Sequence, residues 1–401
     1  MRTKTQHFYS LDAIRGFSAI IIVLYHWRHF FLIGDKTLPG AFDKTQLPLY
    51  TWFAILYDDG ALAVDMFFLL SGFIFFWLYA DRIINRKTSL RVFFCYRFTR
   101  LYPLVIVTLL IVAFLQWDMI NLTGHYFVYQ YNDPYHFILN LFCINSWGLE
   151  KGPSFNGPVW TVSVEVLLYI VFFLICRMRL HKKWILFALV AIGALIQHFY
   201  TPIGQGLYSF FLGALTYYLY KWILKQHNGQ KLLNIITVIT ILLWVMILTE
   251  YKYSYLLLTW KKLVHQHLPH SSPTFADSSF SLCRNVFFRT IVSPISILSI
   301  VLWETSTGFL KEKWAFLGNY SYACYLLHFP LQLLAVIVAH TFGLRLEMLR
   351  TPYALLLFFI ILLPLSLATY YYFELPLQQM LRKKILKKRE PVIIPGANAI
   401  T

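Results

Sequence analysis

The chain has 401 residues, of which 58% are hydrophobic, 19% aromatic and 13% charged. Soluble globular chains are about 45–50% apolar and about 25% charged, so this composition leaves too little polar surface for a water-soluble particle. The formal net charge of +17, from 35 Lys and Arg against 18 Asp and Glu, would suggest nucleic acid on a soluble protein. In so apolar a chain it fits cationic loops that set membrane topology and meet anionic headgroups, and no nucleic-acid partner is expected.

Apolar runs near the roughly 20 residues that cross a bilayer as helix follow one another along the chain. They predict an all-α polytopic membrane protein of about ten transmembrane helices, at about 17–34, 61–80, 101–117, 164–180, 184–199, 205–223, 232–250, 286–303, 314–340 and 353–373. The run from His136 to Trp147 is shorter and reads as re-entrant or interfacial. Residues 251–285 read as a polar loop with an amphipathic patch, Tyr253 to Trp260. The first run has no small-residue cleavage site behind it and is not a signal peptide. Residues 1–381 form the membrane domain and 382–401 a basic tail, "RKKILKKR" at its core.

Pieces on one side of these spans hold 24 of the 35 Lys and Arg. The positive-inside rule then puts both termini in the cytoplasm, as an even span count requires. No inverted repeat of the transporter kind is visible. The five cysteines lack metal-ligand spacing; Cys143 and Cys283 share the outer side, where a disulfide could form. His265, His267 and His270 lie together in the polar stretch without a Cys or acidic partner, and no metal is expected.

Ionisable side chains inside spans are costly and are candidates for function. Four stand out: His26, Asp65, Glu165 and His328. Eleven residues separate Arg15 from His26, which at 100° each is within 20° of three turns, so both share a helical face about 16 Å apart. That is about half the hydrocarbon thickness. Arg15 is expected at the cytoplasmic edge, one turn after Asp12, and His26 near mid-membrane. A neutral imidazole there can accept a proton from an alcohol, which is general-base work.

The stretch "LDAIRGFSAIIIVLYH" (11–26) resembles the Arg-x10-His signature of the acyltransferase-3 family of integral membrane O-acyltransferases. Further segments match in order: "VDMFFLLSGFIFF" (64–76), "RFTRLYP" (97–103), "PVWTVSVEVLLY" (158–169), "LGNYSYACYLLHFPL" (317–331) and "FELP" (373–376). The resemblance covers nearly the whole chain. It implies transfer of an acyl group, usually acetyl from acetyl-CoA, onto a hydroxyl of a carbohydrate or another extracytoplasmic acceptor. The donor is a substrate, so no permanently bound cofactor is implied.

Each matching segment also has a reading of its own. Arg97 and Arg100, three residues apart, share a face at the mouth of the third span and with Arg15 suit the phosphates of coenzyme A. Arg82, Arg86, Lys87 and Arg91 read as topological anchors. Thr161, Glu165 and Tyr169 recur every four residues and line one face. Glu165 is expected to serve catalysis by orienting His26, or to hold an acceptor sugar; the alternative is a carboxylate near the positive end of its own helix. Trp160 and Ser163, in the same segment, are candidate acceptor contacts. Asp65 is structural or acceptor-facing, with Gly72 on its face to permit close packing. Ser71 lacks an evident base. Ser321 and His328, seven apart, share a face, and His328 is a second imidazole for catalysis, packing or acceptor binding.

Two functions from different classes follow. One is an O-acyltransferase of the bacterial inner membrane, taking acetyl or another short acyl group from cytoplasmic acyl-CoA to an exported or cell-surface glycan. The other is a transporter or flippase for a small or lipid-linked saccharide. A scaffold without chemistry is a third.

Overall fold

The computed structural model describes residues 7–33, 36–37, 43–272 and 274–386. The chain opens with α1 (Tyr9–Tyr25), a 3-10 segment (His26–Phe31) and a two-residue antiparallel hairpin, β1 (Leu32–Ile33) with β2 (Lys36–Thr37). Then come α2 (Tyr50–Asp59), α3 (Leu62–Phe75) and α4 (Asp81–Ile84), the last two joined by a π-helical turn. They are followed by α5 (Leu90–Thr123), α6 (Pro134–Leu141), α7 (Trp160–Arg177), α8 (Lys183–Phe199), α9 (Thr201–Ile223) and α10 (Gly229–Tyr253). The chain continues through α11 (Tyr255–His267), α12 (Phe275–Phe287), α13 (Ser293–Thr307), α14 (Ala315–Thr341), α15 (Pro352–Thr369) and α16 (Leu375–Leu386).

Among the described residues seven helical segments are long and apolar enough to cross a membrane. The protein is an all-α polytopic membrane protein. Each of the ten expected spans falls on a helix, but three differ from the rest. α1 and α8 have 17 residues each, a rise of about 25 Å against a hydrocarbon core of about 30 Å. α9 is long enough, but Gln205, Ser209 and Thr216 dilute its apolar character. Those three side chains are buried in the bundle, so packing rather than lipid accommodates them.

Two expectations need correction. The first span starts at Tyr9, not at 17, because the polar groups of its first turns are satisfied inside the protein. The backbone N–H groups of Tyr9 and Ser10 donate to Glu304 on α13 at 2.9 and 3.0 Å, which caps α1. Asp12 pairs with His7 Nε2 at 2.5 Å. Residues 251–285 are not a loop: α11 and most of α12 occupy them, with Glu250 accepting from the N–H groups of Leu256 and Leu257 to start α11. The boundary expected at 381 falls inside α16, and residues 387–401 of the expected tail lie outside the described residues. Cys143 and Cys283 are both free thiols, the first buried and the second exposed.

Side-chain ties define the two ends of the bundle. At the end where α1 begins, Lys221 meets Asp81 at 3.1 Å and Arg91 donates to the carbonyl of Ile385 at 2.7 Å. At the opposite end Arg284 meets Asp59 at 2.5 Å, and the Trp27 indole donates to the carbonyl of Leu349 at 2.9 Å. The core crossing is α3 against α9. A Cβ on Gly72 would come within 1.8 Å of the Phe210 carbonyl, and one on Gly213 within 2.0 Å of the Leu69 carbonyl. Small residues facing each other let these backbones touch. α1 similarly rests Gly16 on the backbone of Leu317 in α14. These two contacts set α1, α3, α9 and α14 side by side, with α5 and α7 closing the interior.

Candidate active site

The sequence segments converge on one buried cavity of about 80 Å³. Arg15 reaches it from α1, Ser71 from α3, Arg97 and Arg100 from α5, Thr161, Glu165 and Tyr169 from α7, and Ser321, Tyr322 and Tyr325 from α14. Spacing along single helices foretold the inward faces of α5 and α7. Arg97 and Arg100, however, are buried in the bundle and do not lie open at its mouth, whereas Arg15 is half-buried. Arg15 is the seventh residue of α1, about 9 Å from its start at 1.5 Å per residue. Arg97 and Arg100 are 7% and 5% exposed.

Aromatic rings, and not salt-bridged carboxylates, make the close contacts to these cations. The Arg97 guanidinium lies over Phe75 at 4.8 Å and Tyr79 at 4.9 Å, and one of its nitrogens donates to the Tyr79 hydroxyl. Arg100 stands over Tyr322 at 5.7 Å. Among the described residues neither joins a salt bridge, and Arg97 Nε and Arg100 Nη1 are buried without a hydrogen-bond partner. A buried charge is costly unless it is paired and hydrogen-bonded. The cavity therefore holds open donors of positive charge, which is chemistry suited to an anion.

Among the described residues Glu165 bonds to Ser71 and makes no hydrogen bond to His26. Its Oε1 accepts the Ser71 hydroxyl at 3.0 Å, so Ser71, read from sequence as lacking a base, has a carboxylate beside it. His26 closes α1 and opens the 3-10 segment, at the far end from Arg15. Its Nδ1 lies 2.9 Å from His328 Nε2, and the two rings stack at 5.1 Å. His29 stacks on the other side of His26 at 4.5 Å. Gln332 ties the group together: its Nε2 donates to the His26 carbonyl at 3.0 Å and its Oε1 accepts from His29 Nδ1 at 3.3 Å. The Tyr325 ring, 5.8 Å from that of His328, stands between the histidines and the arginine cavity. Its hydroxyl donates to the Pro158 carbonyl at 2.8 Å and accepts from Thr161 at 3.0 Å.

The remaining expected contacts lie elsewhere. Asp65 is 1% exposed, pairs with Arg289 Nε at 2.8 Å and accepts from Ser209 at 2.8 Å, so it ties α3 to α9 and to the turn before α13. Ser163 faces away from the cavity, where its hydroxyl oxygen accepts from the Ser146 N–H at 3.2 Å and holds the preceding loop to α7. Trp160 is half-buried and packs on Phe68 at 6.1 Å. Ser321 lines the cavity but donates to the Gly318 carbonyl at 2.7 Å. His265 and His267 on α11 and His270 after it are exposed. No group of three metal-ligating side chains occurs among the described residues.

Sequence reasoning missed His29, Gln332, Tyr325 and Glu374 as neighbours of this site. His29 and Gln332 carried a usable signal, since each lies one turn from a singled-out histidine. Glu374 is 2% exposed with both carboxyl oxygens unpartnered, within electrostatic range of Arg100 and Tyr322.

A family model described as an acyltransferase domain matches residues 8–372. The chain belongs to the acyltransferase-3 family. The matched model is that of a domain that transfers acyl groups. The chain is similar to "Acyltransferase MdmB" of Streptomyces mycarofaciens, 30% identical over 168 residues, 41% of this chain and 38% of that protein. It is similar to "Nodulation protein 10" of Rhizobium leguminosarum bv. viciae, 26% identical over 269 residues, 60% of this chain and 67% of the relative. A third similarity, to "Protein 2 in picA locus" of Rhizobium radiobacter, is 32% identity over 112 residues, 28% of this chain and 47% of that one. The match to MdmB thus spans well under half of that relative. No solved structure matches the chain.

Proposed function

We propose that the protein is an O-acyltransferase that moves an acyl group, acetyl in the first instance, from cytoplasmic acyl-CoA to a hydroxyl of an extracytoplasmic carbohydrate. The observation that carries this reading is the pairing of two unlike sites along α1 and α14. Unpaired arginines surround a buried cavity towards one end, and a histidine pair stands towards the other. The first suits a phosphorylated donor; the second suits proton transfer from an alcohol. Both termini then face the cytoplasm, the donor enters from the end where α1 begins, and the setting is a bacterial inner membrane.

The 2.9 Å contact between the rings needs one imidazole to donate and the other to accept. On the proposed reading His328 carries its proton on Nδ1 and accepts at Nε2. His26 Nδ1 must then donate to it, which leaves the lone pair of His26 Nε2 free. That nitrogen takes the proton of the acceptor hydroxyl as its oxygen attacks the thioester carbonyl. The tetrahedral adduct collapses, the C–S bond breaks, and the leaving thiolate takes the proton from His26 Nε2, which returns the base to its neutral form. His328 orients the base, and Gln332 with His29 hold the 3-10 segment that carries it.

The test uses purified protein in sealed liposomes with radiolabelled acetyl-CoA supplied on one face and a panel of oligosaccharides on the other. Label on a carbohydrate hydroxyl, dependent on the donor, is the expected result. Saccharide crossing the bilayer unmodified, at a rate indifferent to acetyl-CoA, would sink the enzyme reading and leave a transporter.

A further inference from the structure

The last helix brings a further cation close to the arginines of α5, one that no sequence motif pointed to. Arg382 lies on α16, and its Nε donates to the Thr99 hydroxyl at 3.2 Å. Its Nη2 donates to Gln378 Oε1 at 2.9 Å, and the guanidinium covers the Tyr96 ring at 4.7 Å. Thr99 is fully buried. It is the ninth residue after Leu90, about 13 Å along α5 from its first turn, and it is the immediate neighbour of Arg100. Arg91, in that first turn, holds the far end of α16 through the Ile385 carbonyl. α16 is therefore docked so that Arg382 points inward along α5 and does not drift as a tail residue.

Four guanidinium groups, those of Arg15, Arg97, Arg100 and Arg382, now form one electrostatic neighbourhood. Three carboxylates share it, Asp12, Glu165 and Glu374. Among the described residues none of the four arginines is in a salt bridge, and the guanidinium groups still outnumber the carboxylates. Like charges gathered at partial burial with too few counter-ions are unfavourable, and proteins keep such arrangements where an anion completes them. One buried cavity explains Arg15, Arg97 and Arg100. It does not explain Arg382, which is on the opening side of that group and half-buried.

We propose that Arg382 forms an outer phosphate subsite of the donor site, contacting a phosphate of the acyl-CoA nucleotide while Arg97 and Arg100 hold the phosphates nearer the thioester. This rests on the donor being acyl-CoA, as argued above. Arg382 is a binding residue on this account and takes no part in the chemistry. Its side chain stays tethered to Thr99 and Gln378 and presents its remaining N–H groups to the incoming anion. The final helix is then part of the donor site.

The experiment compares wild-type protein with Arg382→Gln and Arg382→Lys, using acetyl-CoA and, separately, S-acetyl-pantetheine, which keeps the thioester and lacks every phosphate. With acetyl-CoA, Arg382→Gln should raise KM about tenfold or more, and the shift should appear in KM rather than in kcat. Arg382→Lys, which keeps the charge and loses the planar fork, should fall between. With S-acetyl-pantetheine all three proteins should give the same kcat/KM. If Arg382→Gln lowers kcat/KM equally for both donors, Arg382 is only a helix tie and the inference fails. It also fails if no KM changes. If wild-type protein transfers acetyl from neither donor, the donor assignment fails first, which separates the two claims. Should Arg382→Gln not fold, the comparison of Arg382→Lys across the two donors decides in the same way.

Discussion

His328 lends itself to a sharp perturbation because its Nε2 makes one bond, to His26 Nδ1 at 2.9 Å, in a fully buried position. His328→Leu keeps most of the apolar volume and removes the acceptor. In the transition state the His26 ring gains a proton, so the bond it donates becomes a hydrogen bond from a charged group. Such bonds contribute about 1.5–3 kcal/mol, which at 1.36 kcal/mol per tenfold is a rate factor of about 10 to 150. His328→Gln keeps an acceptor oxygen at about the reach of Nε2 and should retain most of the activity. The assay is initial rate of acetyl transfer at saturating donor and acceptor, with yield and thermal stability checked for each variant. The loss should appear in kcat, with KM for the donor unchanged, because the arginine cavity is separated from the histidines by Tyr325. A folded His328→Leu protein working at the wild-type rate would refute the reasoning. So would His328→Gln as impaired as His328→Leu, since the bond would then not be what matters.

Asp65 and Arg289 form a buried pair whose breakage should cost about 3–5 kcal/mol. Asp65→Leu should therefore lower the unfolding temperature in detergent markedly, and Asp65→Leu with Arg289→Met should recover much of it; a double variant no better than the single one would mean the pair is not the cause. Asp133 caps α6 by accepting from the His136 N–H at 2.9 Å. That backbone hydrogen bond holds its carboxyl below the usual aspartate range. A depressed folded-state pKa stabilises above the unfolded value, near 3.9, and the contribution fades as pH falls through the folded one. Asp133→Ala should cost about 1 kcal/mol at neutral pH and progressively less below about pH 4, read from hydrogen exchange of α6; equal loss at both pH values would count against the cap.

Much of this arrangement was legible from residue order. The period of α5 and α7 put Arg97, Arg100, Thr161, Glu165 and Tyr169 on inward faces, and the cavity gathers all five. What escaped was of two kinds. Hydropathy placed the first span eight residues late, because Ser10, Asp12 and Arg15 look unfit for lipid; Ser10 meets Glu304 from a distant part of the chain, and Asp12 meets His7 just before the helix. The same long-range closure hid the pairing of Glu165 with Ser71 and of His26 with His328, which lie 94 and 302 residues apart. Periodicity reports which face of a helix is polar and is silent on which other helix it meets. The helices α11 and α12 were missed for a different reason: they are polar on one side and lie at the end of the bundle, where an apolar-run criterion has little to detect.

The central claim is that His26 is the base that accepts the acceptor's proton. The most direct measurement is acetyl transfer by His26→Ala beside wild type, in purified protein shown to be folded and to bind acetyl-CoA with unchanged affinity. The account predicts intact donor binding through Arg15, Arg97 and Arg100 together with transfer reduced by about two to four orders of magnitude, the range general-base catalysis supplies. A His26→Ala protein that binds donor and transfers acetyl within a fewfold of the wild-type rate would contradict it.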